Sequence, residues 1–130
     1  MYTVALIVGS LRKSSINKKL ARAFEKIGNE NLRFVTVPID EVPLYNQDQE
    51  SDLPEAVKKL KDSVAATDAV LFVTPEYNRS VPGVLKNAID WGSRPYGKGV
   101  WGGMPAAIAG TSGGHAGTAV AQGHLRSVLT

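Results

Sequence analysis

Apolar residues in this chain fall into two kinds of segment, short continuous runs and stretches with helical spacing, and the two kinds alternate. Val4 to Val8 is a continuous run that ends at Gly9 and reads as a buried strand. Ile16, Leu20, Ala23, Phe24 and Ile27 follow at helical spacing, and Gly28 and Asn29 suit the helix stop. Leu32 to Val37 alternates in part, as an edge strand does. Residues 38–52 hold two prolines, three aspartates and no helical period, so they read as a loop. Pro54 is a good first helical residue, and Leu53, Val57, Leu60 and Val64 mark a second helix. Ala69 to Val73 is a third strand, the most apolar in the chain. Pro82 opens a short helix carrying Leu85, Ala88 and Ile89. Glycines and prolines crowd 92–105, which reads as a flexible loop. Pro105 to Ala109 is a fourth strand, and Thr118 to Leu129 reads as a last helix.

The order βαβαβαβα argues an α/β fold, a parallel sheet with helices on both faces and right-handed crossovers. In such sheets ligands sit beyond the carboxyl ends of the strands, at the switch point. The unusual loops, 9–15, 74–80 and 110–115, all follow strand ends, so one edge of the sheet is expected to gather them.

The chain has 130 residues, which suits one domain. It carries no cysteine, which excludes disulfides, thiolate metal sites and cysteine nucleophiles and fits a reducing cytoplasm. No apolar stretch is long enough to span a membrane, and no metal-binding set is expected from two histidines. Net charge is +3, but the bases are not massed in a stripe, so a nucleic-acid partner is not expected. Trp91 and Trp101, which flank the flexible loop, are read as packing residues.

The first loop, Gly9-Ser10-Leu11-Arg12-Lys13-Ser14-Ser15-Ile16-Asn17, joins a strand to a helix N-terminus. Free N–H groups and the helix dipole there favour an anion, and Arg12 adds a forked cation suited to phosphate. Helix capping explains one serine, not three together with Arg12. The loop lacks both the P-loop and the G-x-G-x-x-G patterns, and it suits a terminal monophosphate. The second loop, Pro75-Glu76-Tyr77-Asn78-Arg79-Ser80-Val81-Pro82, can present an aromatic edge and amides to a flat polar ring, or be a plain polar turn. The third, Gly110-Thr111-Ser112-Gly113-Gly114, matches the G-x-S-x-G nucleophile elbow literally. A hydrolase triad needs an acid and then a histidine after that serine. His115 and His124 follow it, but no Asp or Glu does, so a ligand-contacting glycine turn is the better reading.

These three segments, with the second extended through Gly83-Val84-Leu85-Lys86-Asn87-Ala88-Ile89-Asp90-Trp91, resemble the NADPH-dependent FMN reductase family in its quinone- and chromate-reductase-like branch. The resemblance runs from Val4 to Leu129. It implies a flavodoxin-like sheet of order 2-1-3-4, the family's fifth strand and last helix not being found before Thr130. The domain is therefore expected over 1–130 as an FMN-binding unit shortened at its C-terminus. By resemblance, Ser10, Arg12, Ser15, Ile16 and Asn17 hold the FMN phosphate. Pro75, Glu76, Tyr77 and Asn78 border the isoalloxazine ring, and Ser112 with Gly113 meet the ring or ribityl chain. Asp90 and Trp91 help dock the third helix. Met104 stands where relatives commonly carry a lysine.

The activity so implied passes hydride from NAD(P)H to FMN and on to a quinone-like acceptor, with ping-pong kinetics and no protein group as acid or base. Relatives work as dimers or tetramers. The rival from another class is a flavodoxin-like electron carrier with no substrate site of its own; carriers of that kind are usually acidic, unlike this chain.

Overall fold

The computed structural model describes residues 1–130. Its elements are β1 (Tyr2–Val8), α1 (Ile16–Ile27), β2 (Leu32–Thr36), α2 (Glu55–Ala65), β3 (Ala69–Val73), α3 (Gly83–Gly92), β4 (Ala106–Ala109) and α4 (Ala119–Leu129). A single 3-10 turn at Gln47–Gln49 interrupts the 38–52 loop. All strand pairs are parallel, in the order β2-β1-β3-β4, the expected flavodoxin-like arrangement.

Alternation along the central strands divides the core into two layers. Ala5 and Ile7 of β1 and Val70 and Phe72 of β3 face one way, packing with Leu60, Val64, Leu85, Ile89 and Leu125 from α2, α3 and α4. Val4, Leu6, Leu71 and Val73 face the other way, against Ala21, Leu20 and Phe24 of α1. Both central strands are buried on both faces, so they read as unbroken apolar runs. Only α1 covers the second face. Beside β4 that face keeps an apolar hollow of about 320 Å³, bordered by Val4, Phe24, Leu71 and Ala107.

Several expectations shift at element ends. Pro54 and Pro82 stand just outside α2 and α3 as their caps, not as first helical residues. Their extended backbones, with φ near −55° and ψ near +145°, set the chain's entry into each helix. On α1 only Leu20 and Phe24 of the expected apolar stripe pack against the core. Asn17 and Ala21 are buried, Leu20 and Phe24 are half-buried, and Ile16 and Ile27 are 44% and 69% exposed. Gly28 ends α1 without left-handed geometry; a Cβ there would lie 2.9 Å from the Leu32 carbonyl, so close approach of β2 requires the glycine.

The 38–52 loop is pinned to the body. Val37 and Ile39 are buried, and the Pro43 carbonyl accepts from Asn87 Nδ2 and Trp91 Nε1, both at 2.8 Å. Asn87 Oδ1 accepts from the Tyr45 amide, and the Tyr45 ring meets Trp91 edge-on at 4.9 Å. Glu50 accepts from Tyr45 Oη and Arg94 Nε at 2.5 Å each. These two donors hold the Glu50 carboxyl below its ordinary range, the Arg94 guanidinium having the larger effect. The glycine-rich 92–105 segment is likewise tied down. Trp101 donates to the Ile89 carbonyl and lies against Phe72, and Lys61 donates to the Arg94 and Lys98 carbonyls. Trp91, fully buried, and Trp101 are thus packing residues as expected, whereas Asp90 pairs at the surface with Lys86.

Candidate functional site

Parallel strands end together, so the turns after β1, β3 and β4 meet at one edge of the sheet. Gly9 N donates to the Val73 carbonyl and Thr74 N to the Ala109 carbonyl, which extends the ladder to the base of all three loops. Two long-range links then hold the loops in place. Asn17, 2% exposed, exchanges both bonds of its side-chain amide with the Thr111 backbone, accepting at 2.9 Å and donating at 3.0 Å. Glu76 Oε2 accepts from the Ala121 amide at 2.8 Å. Helix α4 has no side-chain cap of its own, so Glu76 satisfies one of its orphan donors from a different loop. The Glu76 side chain is only 8% exposed.

In the first loop, Ser15 is the N-cap of α1, its Oγ accepting from Lys18 N at 3.3 Å. A cap of this kind is worth about 1 kcal/mol. It uses an acceptor position and leaves the hydroxyl hydrogen free to donate. Ser10 is buried and its Oγ accepts from Arg12 N. The Arg12 guanidinium is exposed and joins no ion pair, and the same holds for Lys13. The N–H groups of Lys13, Ser14, Ile16 and Asn17 donate to nothing within the chain. Unspent amides, hydroxyls and a guanidinium around one helix start form a donor set for an anion such as a terminal phosphate.

The second loop turns sharply. Tyr77 and Ser80 exchange backbone bonds of 3.1 Å in both directions, and Asn78 and Arg79 between them have φ of +51° and +60°. This is a two-residue hairpin of the kind that needs two left-handed residues. Asn tolerates that conformation; for Arg it costs on the order of 1 kcal/mol. The tip carries Tyr77, 48% exposed, while Ser80 Oγ meets His124 Nδ1 at 2.9 Å. In the third loop, Ser112 Oγ accepts from Gly114 N, and Gly113 is exposed with nothing within 4 Å of where a Cβ would stand. Gly110 is the opposite case. A Cβ there would fall 2.3 Å from the Thr74 carbonyl and 2.4 Å from Thr118 Oγ1, so only glycine lets β4 leave the sheet beside β3.

The fold therefore brings Ser10, Arg12, Ser15, Ile16 and Asn17 to the same edge as Pro75, Glu76, Tyr77, Asn78, Ser112 and Gly113. The side chain of Asn17 holds the first loop to the third, and that of Glu76 holds the second loop to α4. Thr111, whose backbone completes the Asn17 link, and the buried pair Thr74 and Thr118 escaped sequence reasoning. Thr111 bonds a residue 94 positions away, and Thr74 and Thr118 come together only around Gly110, so no local pattern marks them. A cavity of about 340 Å³ opens on the β2 side of the first loop, sharing Ser10 and Leu11 and bordered by Lys18, Arg22 and Asp40. No group of His, Asp or Glu residues is arranged to hold a metal, and no helix is long and apolar enough to cross a membrane.

Comparison with known proteins bears on the family and the fold. Residues 2–130 match the family described as NADPH-dependent FMN reductase. A 2-hydroxy-1,4-benzoquinone reductase of a Burkholderia species is 55% identical over 125 residues, 96% of this chain and 68% of that protein. A quinone reductase of Pseudomonas putida is 54% identical over 88% of this chain and 62% of its own length. The chain thus spans about two thirds of the length of these relatives. Among solved structures, FerB, a flavoenzyme NAD(P)H:(acceptor) oxidoreductase of Paracoccus denitrificans, superposes with a TM-score of 0.95 at 51% identity, covering 99% of this chain and 71% of FerB. The chain belongs to the NADPH-dependent FMN reductases, an oxidoreductase family that works with FMN and NAD(P)H.

Proposed function

We propose that this chain forms the FMN-binding part of an NAD(P)H-dependent quinone reductase. The observation that supports the reading best is the joining of the three loops at one sheet edge by the Asn17–Thr111 and Glu76–Ala121 links, in a chain more than half identical to a quinone reductase. The residues present suit FMN. The first loop offers Ser10, Arg12, Ser15 and the Ile16 and Asn17 amides to a phosphate. Pro75, Tyr77 and Asn78 offer a flat wall to a ring, and Ser112 and Gly113 offer a hydroxyl and an open backbone. FMN, when bound, supplies the two-electron chemistry between the nicotinamide and the acceptor.

The chain's own part is to bind, orient and position. Arg12 and the α1 amides neutralise phosphate charge. Asn17 holds the third loop at a fixed distance from the first, and Glu76 anchors the second loop to α4. No side chain is assigned as a proton donor or acceptor. The acceptor proposed is quinone-like, the working form a homodimer or homotetramer, and the compartment the cytoplasm, where reduced nicotinamide is regenerated.

The test is steady-state oxidation of NADH and NADPH by the FMN-loaded protein with a benzoquinone as acceptor. Turnover with parallel double-reciprocal lines is expected. Flavin retention without quinone-dependent turnover would favour the electron carrier instead.

A further inference from the structure

Arg79 stands out at this edge because its position costs the fold something and its side chain returns little. It is the second of two left-handed residues in the hairpin tip, where glycine or asparagine is the ordinary choice. Its guanidinium is 74% exposed, and its nearest charged partner is Glu76 Oε1 at 3.8 Å, beyond hydrogen-bond reach. The Glu76 carboxylate is committed to the Ala121 amide through its other oxygen. Arginine has five N–H donors, and none here is bonded within the chain. The loop and helix beside the tip do not balance the charge. From Trp91 to Thr130 there is no Asp or Glu, and His115, His124 and Arg126 lie on the third loop and α4. Tyr77, two residues earlier in the same loop, is half exposed and adds an aromatic surface to it.

We infer that Arg79 is a specificity residue that favours acceptors carrying an ionised group, aromatic quinones bearing a sulfonate, carboxylate or ionised hydroxyl. The inference rests on the quinone-reductase reading above. The hairpin carries Arg79 at its tip, Glu76 lies near it without a hydrogen bond, and the fork is left to pair with an anionic substituent. A neutral quinone gains nothing from this contact, so the effect belongs in discrimination between acceptors, not in turnover itself.

The experiment compares 1,4-naphthoquinone-2-sulfonate with neutral 2-methyl-1,4-naphthoquinone on the FMN-loaded protein and its Arg79→Gln and Arg79→Lys variants. In Arg79→Gln, kcat/KM for the sulfonate is expected to fall about tenfold, through KM, while the neutral quinone stays within about twofold. Arg79→Lys should recover part of the sulfonate preference, and more of it at low salt. Binding of redox-inert naphthalene-2-sulfonate, followed by its own fluorescence, should weaken in Arg79→Gln to a similar degree. Equal losses on both quinones, or an unchanged ratio, would overturn the inference and leave the quinone reading intact. Failure of the parent protein to reduce either quinone would overturn both.

Discussion

Asn17 and Thr111 exchange two hydrogen bonds, at 2.9 and 3.0 Å, across 94 residues of sequence. The bonds join the start of α1 to the turn after β4, so the first and third loops are tied to each other. Asn17→Ala would leave the partly buried N–H and C=O of Thr111 without their partner, at a cost of about 1–3 kcal/mol. The expected outcome is a lower melting temperature together with weaker FMN binding, measured by thermal denaturation and flavin titration. Asn17→Asp keeps the acceptor but not the donor, and should fall between Ala and the parent.

The two glycines of the third loop separate packing from ligand access. Gly110→Ala places a methyl 2.3 Å from the Thr74 carbonyl and should destabilise by about 1–3 kcal/mol or more, seen as a lower urea midpoint. Gly113→Ala meets nothing within 4 Å and should leave that midpoint within about 0.5 kcal/mol of the parent. Because Gly113 is proposed to lie against FMN, its added methyl should still weaken flavin binding.

Much of this was legible in the chain because it is local. The unbroken apolar runs at Val4 to Val8 and Ala69 to Val73 mark strands buried on both faces, and the helices between them dictate a parallel sheet. The loop positions follow from that topology alone. What was not legible depends on contacts distant in sequence. Ile16 and Ile27 have the right spacing for a core stripe, yet the buried face is turned toward Asn17 and Ala21, because Asn17 must reach Thr111. The 38–52 loop shows no period, yet it is held by Asn87 and Trp91 of α3, which approach only once the sheet has formed. Glu76 reads as a polar loop residue, and nothing nearby announces that it caps α4.

The Glu50–Arg94–Tyr45 cluster makes stability depend on pH in a defined direction. The Glu50 carboxyl is held below its ordinary value of 4.5 in the folded chain by the Arg94 and Tyr45 hydrogen bonds. A lowered folded value means the stabilisation is complete above the unfolded range and is lost as pH falls through the folded one. Glu50→Gln should therefore melt earlier than the parent at pH 7, and the gap should close as pH falls below 4.5. Thermal melts across the acid range measure this; a gap that stays constant would remove the cluster from the explanation.

The central claim is that the edge formed by the three loops binds FMN through the phosphate, with Arg12 as its free cation. Titration of FMN with the protein, followed by flavin fluorescence, tests it most directly when Arg12→Ala is run beside the parent and both are checked by circular dichroism. The parent should bind saturably, and Arg12→Ala should bind at least about tenfold more weakly with an unchanged fold. Equal affinity in the variant, or a folded parent that leaves FMN free in solution, would contradict the claim.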